Sequence, residues 1–277
     1  MTAPFIISTL EAAIGSALRS GGHFLNVSEL QAALHHELGR VVPCERERPA
    51  EFGPAFYPVP QPPPPYKPID VCEQRESRKV DLLAHFDLSE VAIELEFSRL
   101  TDWRGAHRGV PLPNPPQSDS PPYEFLKDIH RMERLTEVRA QARRVVPQYR
   151  ICAFLSNNPF EYEGRTTHER LRLSNRTLHP GHLVQYSART KEGKATSAST
   201  LWTEYPPFRL ARSYEIEWRT VKEDLKDFQP ARGERRQRGH REGHQSGVSP
   251  RGINCRFAGA HQLFWNLVLR VISPEVR

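Results

Sequence analysis

The chain has 277 residues, enough for one sizeable core, but its 38% hydrophobic content and 25 prolines place part of it outside that core. The net charge of +6 is carried entirely by residues 229–277, where nine arginines face three glutamates; residues 1–228 hold 30 basic and 30 acidic side chains. Charge therefore gives no ground for reading the main domain as a nucleic-acid binder, and confines any such argument to the chain end.

Cys44, Cys72, Cys152 and Cys255 are scattered, with no C-x-x-C pair and no histidine at zinc-finger spacing. They read as free thiols in a reducing compartment. The early stretch APFIISTLEAAIGSAL lacks a basic leader and is interrupted by Glu11, so it is read as neither a signal peptide nor a membrane span. The expected location is cytoplasmic, with no membrane partner.

Two helices open the chain. The first is expected over residues 8–19, stopped by Gly21 and Gly22. The second starts at a capping box formed by Ser28 and Gln31, carries Leu30, Leu34 and Leu38 as a stripe, and stops at Gly39. Both should cover one face of a sheet. Residues 43–68, which include PVPQPPPPYKP, are expected to form an extended surface loop, because proline lacks the N–H that a helix or central strand requires. That loop is a spacer, or else a ligand for a proline-recognising protein partner.

Residues 80–97, VDLLAHFDLSEVAIELEF, alternate apolar and polar positions in two runs, which predicts a hairpin. With a four-residue turn over 87–90, Phe86 opposes Val91, Leu83 opposes Glu94 and Asp81 opposes Glu96. The period of two then puts Asp81, Glu94 and Glu96 on one face. Carboxylates so placed repel one another unless a cation lies among them, and a hard divalent ion, Mg2+ or Mn2+, suits oxygen donors. The alternative is a hairpin whose polar face meets solvent.

A helix is expected over 123–143, with Leu126, Ile129, Met132 and Leu135 buried, followed by a strand over 149–157. Strand, hairpin, crossover helix and strand imply a mixed α/β sheet. Residues 213–221, SYEIEWRTV, add another strand, preceded by a less regular one over 182–186. Residues 229–277 form a basic C-terminal tail, rich in arginine and glycine, that is expected to be disordered and to act as a nucleic-acid arm, or else to be translated out of the native frame. His35 with His36, His179 with His182, and His240 with His244 lack a cysteine or carboxylate that would complete a familiar zinc set.

Asp81, then twelve residues, then Glu94-Leu95-Glu96 in an apolar strand resembles the PD-(D/E)xK nuclease superfamily. With YEFLKDIHRMERL and RICAFLSNNP, the chain also resembles a group of bacterial proteins carrying VDLL, VAIELKY and FLKDIxRLE, over roughly residues 28–159. The resemblance implies a restriction-endonuclease-like mixed sheet flanked by helices in residues 1–228. It also implies Mg2+- or Mn2+-dependent hydrolysis of phosphodiester bonds in DNA or RNA, with Asp81 and Glu94 as metal ligands. Glu96 stands where the superfamily has lysine, and so becomes a candidate second-ion ligand or general base. The resemblance further assigns a role to an acidic residue of the N-terminal helices, Glu29 or Glu37. Lys127 and Arg131, four apart on the crossover helix, are candidate phosphate contacts or else ordinary surface charges. The rival expectation is a catalytically inactive nuclease-like module that binds nucleic acid or a protein partner.

Overall fold

A computed structural model describes residues 2–21, 24, 26–57, 79–87, 89–98, 106–107, 110–111, 120–157, 173, 176–185, 205–222 and 264–272. Helix α1 (Ala3–Gly21) begins and ends beyond the expected limits, and buries Ile6, Leu10, Ala13, Ile14, Ala17 and Leu18. These positions recur at helical spacing and form one apolar stripe. Helix α2 (Val27–Gly39) buries the expected Leu30, Leu34 and Leu38. Its cap differs from expectation: Asn26 Oδ1 accepts from the Glu29 N–H at 3.0 Å, so Ser28 lies inside the helix and Gln31 is left for another task.

Strand β1 (Cys44–Phe52) corrects the expectation of an extended surface loop from residue 43. It pairs antiparallel with β2 (Lys79–Phe86) from Cys44 to Pro49, then with β6 (Leu135–Arg139) from Ala50 to Phe52. Pro49 thus stands where the strand changes partners, the place at which a missing N–H disturbs a ladder least. The proline-rich residues 58–68 lie outside the described residues.

The hairpin pairs β2 with β3 (Ser89–Ser98). A small ladder, β4 (Ala106–His107) with β5 (Val110–Pro111), precedes helix α3 (Ser120–Arg134). The expected helix to residue 143 is corrected: at Leu135 the chain becomes β6, followed by β7 (Arg144–Val145). Leu135 and Val138 are fully buried there, and the free edge of β1 supplies the ladder that a further helical turn would lack. Strand β8 (Tyr149–Ser156) runs parallel to β3, as a crossover helix between them requires.

Strands β9 (Arg176–Leu178), β10 (Leu183–Val184), β11 (Phe208–Arg209) and β12 (Tyr214–Ile216) form two ladders, β9 with β12 and β10 with β11. The single strand expected over 213–221 is instead two, β12 and β13 (Arg219–Lys222), in different sheets. The chain end also departs from expectation. Strand β14 (Phe264–Ile272) lies between β13 and β8, antiparallel to both, so the tail is not disordered throughout and residues 1–228 do not complete the sheet. Residues 229–263 lie outside the described residues.

The main sheet has eight strands in the order β13-β14-β8-β3-β2-β1-β6-β7, mixed because β3 and β8 alone among its pairs are parallel. One face, with Leu82, Ile93, Leu95 and Ile151, packs on α1 and α2. The other, with Leu83, Ala92, Cys152 and Phe154, packs on α3 and on Leu178, Phe208, Leu210 and Tyr214 of the smaller ladders. Each fully buried leucine or phenylalanine in these layers contributes about 1.5–3 kcal/mol. Among the described residues no helix is long and apolar enough to cross a membrane.

Candidate functional site: a carboxyl pair under the crossover helix

The hairpin turn is two residues shorter than expected. Phe86 opposes Ser89, and the register runs to Leu82 opposite Ile93. Asp87, at a φ of 24°, takes the positive-φ backbone that two-residue hairpin turns need. A shift of two keeps Leu82, Ala84 and Phe86 on the expected face with Val91, Ile93 and Leu95 but changes their neighbours. One step past Leu82, Asp81 stands opposite Glu94 instead of Glu96.

At Asp81 the alternation of β2 breaks. Val80 and Leu82, two residues apart, belong to opposite cores. The carboxylate between them therefore reaches groups of both layers. Asp81 Oδ2 accepts from the Leu95 N–H at 2.8 Å, so a side chain takes the place of the next ladder acceptor. From α2, Gln31 Nε2 donates to the Asp81 carbonyl at 2.9 Å and to Oδ1 at 3.3 Å, and Gln31 Oε1 accepts from Arg46 Nη2 at 3.1 Å.

Asp81 and Glu94 lie close enough for each carboxyl group to act on the proton affinity of the other. Burial raises Glu94 well above the ordinary carboxylate range, with Arg131 opposing and Asp81 and Asp128 reinforcing the shift. Burial raises Asp81 as well, against the Leu95 N–H. Asp128, on α3, is pushed up to about 7, mainly by burial. Three carboxyl groups thus share one nearby buried guanidinium, and protons make up part of the missing positive charge.

That guanidinium belongs to Arg131, which is 7% exposed; the surface-charge expectation for it is corrected. Its Nη1 donates to Asp128 Oδ1 at 3.0 Å and its Nη2 to the Lys79 carbonyl at 2.8 Å, while its Cζ lies 5.4 Å from the Phe52 ring centroid. Arg131 Nη2 is also 3.2 Å from Glu94 Oε1, an ion pair without hydrogen-bond geometry, and that buried oxygen has no hydrogen-bond partner among the described residues.

The remaining expected residues lie elsewhere. Glu96, half-buried on β3, accepts from the Phe97 N–H at 3.0 Å. Lys127 is held by Glu124 at 2.8 Å. Glu37 accepts from Ser16 Oγ at 2.7 Å and faces Arg40 at 3.5 Å; Glu29 is half-buried at the start of α2. The α2 side chain that reaches Asp81 is Gln31, which the sequence reading had assigned to a helix cap. Asp128 was also missed, although its place three residues before Arg131 on an amphipathic helix was visible.

Among the described residues no group of three or more His, Cys, Asp or Glu side chains is gathered in a way that could hold a metal ion. A hard cation does not need three: Mg2+ is commonly held by one or two carboxylates, with water and phosphate oxygens completing its shell. Asp81 and Glu94, neighbouring carboxyl groups with Glu94 Oε1 lacking a donor among the described residues, are the side chains that could meet that smaller requirement. Comparison with protein-family models, curated proteins and solved structures gives no match to the chain.

Proposed function

We propose that the chain is a nuclease-like module of the PD-(D/E)xK type that hydrolyses phosphodiester bonds of DNA or RNA with Mg2+ or Mn2+. The observation that carries this reading is the place of Asp81 beside Glu94, bonded to the next N–H at Leu95 where β2 and β3 cease to pair, under a helix that crosses from β3 to the parallel strand β8. This order of hairpin, crossover helix and parallel strand is what a restriction-endonuclease-like core requires.

Asp81 and Glu94 would hold the metal, which when bound polarises the phosphodiester and activates water. Gln31 and the Leu95 N–H fix the Asp81 carboxylate, so its position is set in advance. Arg131 supplies a permanent positive charge beside Glu94. Glu96, two residues beyond Glu94, can accept a proton from water but cannot supply the charge of a lysine. The test is metal-dependent cleavage of single- and double-stranded DNA and RNA by the full chain. Glu94→Gln and Asp81→Asn should each abolish cleavage with the fold retained. Cleavage surviving in the double variant sinks the proposal.

A second reading, a catalytically inactive module that binds nucleic acid or a protein partner, is favoured by Arg131, whose charge already faces Glu94, and by the glutamate at the lysine position. It predicts binding without cleavage, unchanged by Asp81→Asn.

A further inference from the structure

We propose that Arg131 competes directly with the divalent cation for Glu94, so that the site is closed by its own guanidinium until a metal draws Glu94 away. The inference rests on the reading of Asp81 and Glu94 as a metal-holding pair. It starts from the unequal way in which Arg131 is held. Three contacts fix the guanidinium without Glu94: Asp128 Oδ1 at 3.0 Å, the Lys79 carbonyl at 2.8 Å and the Phe52 ring at 5.4 Å. Glu94 Oε1, at 3.2 Å, makes only a charge contact.

Glu94 is therefore the partner that can turn without dislodging the arginine. Asp81 Oδ2 accepts from the N–H of Leu95, the residue after Glu94, so the two carboxylates lie side by side at the end of the β2–β3 pairing, where one ion could take both. Arg131 would then remain on Asp128, a few ångströms from a second cation, and the two positive charges would repel. This repulsion weakens metal binding by the protein alone. A phosphate group between the two cations would relieve it, because its oxygens accept from a guanidinium and ligate a hard metal alike. Metal and phosphodiester should consequently bind with mutual reinforcement.

The test is calorimetric titration of Mn2+ into the full chain, its Arg131→Met variant and a Lys79→Met control, whose ammonium is exposed and paired with Glu47. Arg131→Met should bind Mn2+ about tenfold more tightly or better, with Lys79→Met close to the parent protein. Equal or weaker binding by Arg131→Met overturns the proposal. So does an equal gain in Lys79→Met, which would mark a general charge effect. If no protein gives heat, the metal reading itself fails; if the parent binds and Arg131→Met does not differ, only the competition fails. Should Arg131→Met not fold, the Arg131 side-chain Nε–Hε resonance of the parent protein decides the matter. Saturating Mg2+ should shift it, and an unmoved resonance under demonstrated binding rules competition out.

Discussion

Gln31 Nε2 donates to both the carbonyl and the carboxylate of Asp81, at 2.9 and 3.3 Å, and so ties helix α2 to the point where strand β2 breaks its alternation. The same side chain accepts from Arg46 on β1. Gln31→Leu keeps the approximate volume and removes every one of these bonds. It should cost about 1 kcal/mol in denaturant unfolding, because half-buried Asp81 loses its amide partner, while exposed Arg46 can turn to water. A loss below about 0.5 kcal/mol would show that water replaces the amide.

The raised carboxyl groups make a stability profile whose sign is fixed. Asp128 is at about 7 when folded, against an ordinary value of 3.8, so the folded state holds its proton over that interval while the unfolded state has released it. Its contribution is fully present below the unfolded value and is lost as pH rises through about 7. Glu94 shifts in the same direction. Measured from pH 4 to 8, Asp128→Asn should lose stability less steeply with rising pH than the parent protein. Parallel profiles would refute the assignment.

Glu133 on α3 holds the smaller ladders. Its carboxylate accepts from the Ala211 N–H at 2.8 and 2.9 Å, the Arg212 N–H at 2.9 Å and Tyr214 Oη at 2.8 Å. Glu133→Gln replaces one acceptor oxygen with a donor that faces other donors. A loss of about 2 kcal/mol or more is expected, with faster amide exchange over residues 205–216 than over β3. Uniform exchange across both regions would count against a local clasp.

Truncation after residue 228 removes β14 from between β13 and β8. Strand β8 then presents an open edge along eight buried or half-buried residues. The shortened chain should aggregate or melt well below the full chain, as light scattering and thermal unfolding would report. A monomeric truncation with unchanged melting would mean that β14 is dispensable.

Glu96→Lys restores the charge that the superfamily pattern places two residues after Glu94. Glu96 is half-buried and accepts from the Phe97 N–H, so circular dichroism of the variant is measured beside its cleavage. Cleavage in Mg2+ should rise if glutamate there is a loss. A fall in turnover with intact Mn2+ binding would give Glu96 a catalytic role of its own.

The sequence by itself determined the elements whose burial pattern is local. Leu30, Leu34 and Leu38 wrote the stripe of α2, and the period of two wrote a hairpin with Leu82, Ala84 and Phe86 on the face of Val91, Ile93 and Leu95, but not the place of Asp81, where the alternation breaks. Parity survives a register shift of two, so the face was legible while the partner was not. Only the tertiary structure decided that Asp81 meets Glu94, because turn length is set by how both strands pack on α1, α2 and α3. It likewise decided that residues 135–139 leave the helix to pair with β1, that a strand from the chain end enters the sheet, and that Gln31 and Arg131 turn inward. Each of these depends on a partner tens to more than a hundred residues away, and local propensity carries no record of such a partner.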